Sequence, residues 1–160
     1  MSPKPLRATV TYKYKLLLAV LTAGIIYNSF HLLKPTEIIN AHDNHHVLVK
    51  HFPIFDKAKI EWWENNKKIL KEKYNLPKKY SDGSFSIMFW DYGEGYKVLP
   101  ETDQNSDLAC FDDIKSKANC IEKKVVLTVS CFDGGKTSFH MSNGHTYLQL
   151  SDKSELKRVE

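Results

Sequence analysis

Hydrophobic and polar positions divide the chain into one long apolar run and a series of short alternating segments. Leu16–Leu33 (LLLAVLTAGIIYNSFHLL) contains no Asp, Glu, Lys or Arg. As a helix it would be about 27 Å long, close to the hydrocarbon thickness of a bilayer. Lys34-Pro35 stops it, since proline lacks an N–H and restricts its predecessor. Glu37–Lys50 then predicts a hairpin with a polar tip at His42–His46. A helix is predicted over Lys57–Lys73. Ile60, Trp63, Leu70 and Tyr74 form its apolar stripe, widened by Trp62 and Ile69. Asp56 is the expected N-cap, with Phe55 stapled to Ile60.

Beyond the helix the period changes from helical to alternating. Ser84–Asp91 is apolar on both faces and predicts a central strand. Glycines at 93 and 95 predict a sharp turn, and Pro100–Asp107 a polar loop. Val125–Phe132, Lys136–Ser142 and His145–Leu150 are strand-like, with turns at Asp133–Gly135 and Asn143-Gly144. A charged tail, Ser151–Glu160, follows. The expected fold is α+β: an N-terminal transmembrane helix, then a small antiparallel sheet of about five strands packed on one amphipathic helix. The expected organisation is a basic tail (1–15), a transmembrane helix (16–33) and a folded domain (34–160).

Charge sharpens this picture. Lys4, Arg7, Lys13 and Lys15 precede the apolar stretch without a single acid. They are four of the 23 basic residues, leaving 19 against 19 acids behind the stretch. The net charge of +4 therefore belongs to the tail. A formally neutral domain argues against nucleic-acid binding. Basic residues beside a membrane segment stay cytoplasmic, so the tail is expected inside and the domain in the periplasm. The long apolar run lacks a small-x-small cleavage pattern behind it and reads as an uncleaved signal anchor.

Export would place Cys110, Cys120 and Cys131 in an oxidising compartment. Three single pairings can be drawn. Cys110–Cys120 is preferred because the two flank a polar segment that can fold back, leaving Cys131 as a buried free thiol. His42, His45, His46 and His51 are the one histidine-rich spot, and adjacent strand positions point to opposite faces. A solvated turn is favoured over a metal site. There is no nucleophile elbow, zinc-protease motif, phosphate loop or dinucleotide fingerprint. The neighbouring acids Asp112-Asp113 and the histidines His140 and His145 have simpler structural readings. Catalysis, cofactors and metals are not expected. Trp62, Trp90 and Tyr96 are candidate binding aromatics that could equally be core.

Several motifs occur in a specific order: FP at Phe52-Pro53, DK at Asp56-Lys57, IxWW at Ile60–Trp63 and KEKY at Lys71–Tyr74. DGxFxIxFWDxGxGY follows at Asp82–Tyr96, then CFDD at Cys110–Asp113 and NCIEK at Asn119–Lys123. Together they resemble the enterobacterial family catalogued as domain of unknown function 943. The resemblance implies a single-pass inner-membrane protein and supplies no catalytic residues. It further implies an association of some members with type VI secretion, as immunity proteins against antibacterial toxins. The expectation is an inner-membrane-anchored periplasmic binder with a lipid partner at residues 16–33 and a toxin as protein partner. The alternative is a structural or regulatory accessory of an envelope complex.

Overall fold

The computed structural model describes residues 7–32, 34–102, 107–132, 135–151 and 154–159. The chain divides into two units, Met1–Pro35 and Thr36–Glu160. In the first, α1 runs from Arg7 to Leu32, so the helix begins within the basic segment read as a tail. Leu16, Leu17, Leu18, Val20 and Leu21 are all more than half exposed on it. Among the described residues no helix is long and apolar enough to cross a membrane. The expected span lies partly outside them, at Leu33 and at the side chains of Ile25, Ile26 and Asn28–Leu32.

The second unit is α+β, but its sheets differ from the expected single antiparallel one. β1 (Glu37–His42) and β2 (His46–Lys50) form the hairpin, and α2 (Asp56–Tyr74) follows. β3 (Phe85–Asp91), β7 (Val125–Phe132), β8 (Lys136–Met141), β9 (Thr146–Gln149) and β10 (Lys157–Arg158) complete a seven-stranded sheet. Its order is β1-β2-β3-β7-β8-β9-β10. The β2–β3 pair is parallel because α2 carries the chain back between them, which a hairpin turn cannot do. The other pairs of this sheet are antiparallel. The C-terminal strands form the expected meander, and its tail adds β10. The turn expected at Asp133-Gly134 lies outside the described residues.

A second, three-stranded sheet was not anticipated. β4 (Lys97–Val98), β5 (Leu108–Cys110) and β6 (Ala118–Glu122) pair in the order β4-β6-β5. Of the polar loop expected at Pro100–Asp107, residues 103–106 lie outside the described residues. Asp107 already accepts a backbone bond from Lys123 beside the second sheet.

The main sheet buries both faces around β2, where Val47, Leu48 and Val49 are fully inaccessible in succession. Strand side chains alternate, so this run requires a cover on each side. Val47 and Val49 join Phe85, Ile87, Phe89, Leu127, Val129 and Phe139 under Ile60, Trp63 and Leu70 of α2. Leu48 joins Phe111 and Ile121 of the second layer, with Ile39, Trp90, Tyr92 and Tyr96 packed around them.

α2 departs from the expected helix in three places. Phe55, with extended backbone, is its N-cap and makes no side-chain capping bond; Asp56 is already helical. Phe55 is 77% exposed and so makes no staple, and Ile69 is 49% exposed rather than part of the stripe. Lys59 is instead buried beneath the helix. The C-terminus closes at Asn75, whose left-handed backbone (φ 55°) lets its own N–H reach Lys71 and that of Leu76 reach Leu70. Leu70→Ala should therefore destabilise the domain by about 2–5 kcal/mol. Ile69→Ala should stay within about 0.5 kcal/mol. Urea unfolding of the two variants checks the contrast, and equal losses would contradict it.

Candidate functional site

The second layer is fastened to the main sheet at the histidine-bearing tip. His42 and His46 pair across the β1–β2 hairpin and occupy one face. His42 is buried, contrary to the solvated turn expected there. Its ring stacks on Phe111 with centroids 4.3 Å apart. Its Nδ1 lies 2.7 and 2.9 Å from the two oxygens of Asp113. A carboxylate accepts, so Nδ1 carries the proton and donates. On the other side Nε2 lies 2.8 Å from the Tyr96 hydroxyl, which also accepts from Asn40 at 3.4 Å. Burial pushes the Tyr96 phenol pKa up, so it holds its proton. In the neutral ring Nε2 then accepts from Tyr96, closing a chain from Asn40 through Tyr96 and His42 to Asp113. A phenol that retains its proton is a poor nucleophile, and the chain reads as a brace between layers.

The same layer carries the Cys110–Cys120 disulfide, across a directly opposed pair of β5 and β6. Lys97 of β4 pairs with Glu122 of β6. Cys131 is free and half-buried on the α2 side, rather than fully buried.

His46 makes a separate contact. Its Nδ1 accepts from the Trp90 indole N–H at 2.9 Å. Burial lowers its pKa, Asp43 opposes the shift, and His45 and His42 add to it. His45 stacks on Tyr80 and contacts the Ser86 carbonyl, while His51 lies beyond the other end of β2. The four histidines therefore do not converge.

The candidate aromatics are likewise divided. Trp62 packs edge-on to Phe52 and Phe89 on the α2 side. Trp90 and Tyr96 belong to the opposite layer. All three are half-buried and share no common surface.

Asp56, expected to cap α2, serves the C-terminal hairpin instead. Its carboxylate accepts from His145 at 2.6 Å, Tyr147 at 3.1 Å and Asn143 at 3.1 Å. Burial pushes the Asp56 pKa up, but these bonds more than offset it and the net direction is down. His145 is thus committed to Asp56, while His140 bonds Thr146, so those two histidines form no joint site. Lys59, one turn along α2, donates to the Val126 carbonyl at 3.2 Å. Burial lowers its pKa and Asp56 partly restores it. Position 59 lies one turn before Trp63, so helical periodicity could have found it.

A groove of about 630 Å³ lies beside the C-terminal half of α2. Trp63, Phe85 and Cys131 form its apolar wall, and Lys67, Lys71 and Lys79 its rim. Glu64 also lines it but is held by Lys67 at 2.6 Å. The groove therefore offers Lys79 and Lys71 beside the Glu64–Lys67 pair, with Lys71 also donating to Asn75 Oδ1 at 2.9 Å.

The family model described as "Enterobacterial putative membrane protein (DUF943)" matches residues 10–160. No curated protein and no solved structure matches the chain.

The His46 geometry predicts a pH response. Its folded-state pKa lies below the unfolded one, so the fold favours the neutral ring. That contribution is complete above the unfolded value and is lost as pH falls toward the folded one. The urea midpoint of the protein should drop between about pH 7.5 and about pH 5.5. In His46→Gln, which can still accept from Trp90 but does not titrate, the drop should be smaller. An identical drop in both proteins would contradict the assignment.

Proposed function

The chain belongs to the DUF943 family of enterobacterial proteins, and from that premise we propose that it is a membrane-anchored periplasmic binding protein whose partner is an antibacterial toxin. The reading takes residues 16–33 as a single-pass inner-membrane anchor with the basic residues before it in the cytoplasm. The Cys110–Cys120 disulfide is the observation that carries the periplasmic placement, because such a bond persists in an oxidising compartment and not in the cytosol. The domain is non-catalytic in this reading. The buried His42 and the largely buried Asp56 are spent on holding elements together, through Asp113 and His145 respectively.

An immunity protein needs a partner-shaped surface in the compartment where the toxin arrives. The groove beside α2 supports that role by combining an apolar wall with three lysines against one acid, Glu64, in its lining. An acidic segment bearing an apolar residue would complement it. Anchoring would raise the effective concentration of the binder where a toxin meets the inner membrane.

A strain lacking this gene, challenged by its own toxin-secreting siblings, should lose viability and recover when the gene is restored. Restoration with Lys71→Glu and Lys79→Glu should fail to protect although protein levels hold. In vitro the double variant should bind the toxin at least about tenfold more weakly, about 1.4 kcal/mol. Undiminished survival of the deletion strain would sink the immunity role. Full protection by the double variant would remove the groove from it.

A further inference from the structure

The segment between β2 and α2 exposes two large apolar side chains. Ile54 is 67% and Phe55 77% exposed, the highest values among the described large apolar residues of the folded domain. Their exposure is built into a fixed backbone. Thr36 Oγ1 donates to the His51 carbonyl at 3.0 Å, and His51 turns the chain with φ 54°. Phe52 is then drawn inward, with ring centroids 5.1 Å from Trp62 and 5.7 Å from Phe89. At the far side the Phe55 carbonyl accepts from Lys59 N–H at 3.0 Å. With both ends held, Ile54 and Phe55 point to solvent beside the start of α2.

The end of the sheet beside them lies close in sequence to the apolar stretch. Glu37 pairs with Lys50, so Thr36 and His51 lie at the same end of the β1–β2 hairpin. Only Lys34 and Pro35 separate Thr36 from the apolar stretch ending at Leu33. A chain of that length reaches about 10 Å. Resting on the membrane-anchor reading above, we propose that Ile54 and Phe55 insert into the interfacial layer of the same bilayer, so that the domain stands on the membrane by the N-terminal end of α2. Aromatic and aliphatic side chains at this depth exchange water for lipid while the flanking backbone stays hydrated.

The surrounding charges suit a lipid surface. No acid occurs between Lys50 and Phe55; Asp91, which shares a surface pocket with Ile54, is held by Lys124 at 2.6 Å, and Glu37 lies opposite Lys50. The Asp56 carboxylate is turned inward to His145, Tyr147 and Asn143, with its side chain only 13% exposed. Lys57, the next residue, is exposed and positioned to meet headgroup phosphates. The opposite end of the hairpin, where His45 stacks on Tyr80, provides an internal contrast. Tyr80 is 58% exposed there, at the end of the sheet remote from Thr36.

The test places a photoreactive benzophenone side chain singly at Phe55, Tyr80 or Leu18 of the full-length protein, irradiated in cell membranes, with the adducts identified by mass. Phospholipid adducts are expected at Phe55 and at Leu18 and not at Tyr80. Lipid at Leu18 with none at Phe55 would overturn the inference and leave the anchor reading standing. Loss of lipid adducts at both would overturn the anchor reading and this inference with it. A protein adduct in place of lipid at Phe55 would show that a protein covers the segment. As a second variant, Ile54→Ser with Phe55→Ser alters only exposed side chains and should not lower the urea midpoint, since serine is a favourable residue at the N-cap that Phe55 occupies. It should also increase protease cleavage after Lys57 in intact membranes, and unchanged cleavage would likewise contradict the proposal.

Discussion

The domain depends on the burial of β2 from both sides. Val47, Leu48 and Val49 are each fully inaccessible, and neighbouring side chains on a strand face opposite ways. One helix can cover only one face. α2 does so over Val47 and Val49, and the β4-β6-β5 layer covers Leu48 with Phe111 and Ile121. A three-layer arrangement follows from three consecutive residues.

The two covers are secured by different chemistry. α2 presents a broad apolar stripe, and Asp56 adds a polar clasp to the β8–β9 hairpin through three donors. The small layer has only three short strands and a smaller apolar contact. It is supported by the Cys110–Cys120 bond, the His42–Asp113 contact and the Tyr96 hydroxyl. A disulfide closing a loop of this size contributes about 3 kcal/mol on the chain-entropy model. That is comparable to fully burying one large aliphatic side chain. The small layer is thus the part of the fold most dependent on an oxidising environment.

Segments with strong local patterns were legible in the sequence. The α2 stripe, the doubly apolar β3, the Asn143-Gly144 hairpin and the pairing of Cys110 with Cys120 could all be read from short windows. The parallel β2–β3 pairing was not, because it depends on where α2 returns the chain. The second sheet was missed because β4 and β5 are two and three residues long, below the length at which alternation is visible. The roles of the polar residues were hardest to read. His42 meets Asp113 across 71 positions and Asp56 meets His145 across 89. The former looked like a solvated turn and the latter like a helix cap because their partners are supplied by tertiary structure. Phe55, expected as a staple, is instead the most exposed large apolar side chain of the domain's described residues.

The proposed periplasmic placement rests on the Cys110–Cys120 bond, and thiol trapping in intact cells tests it most directly. Cells are blocked with a membrane-permeant alkylating reagent, and the protein is then denatured, reduced and labelled with a second reagent of different mass. The account predicts the first label on Cys131 alone and the second on Cys110 and Cys120. The first label on all three cysteines would contradict it.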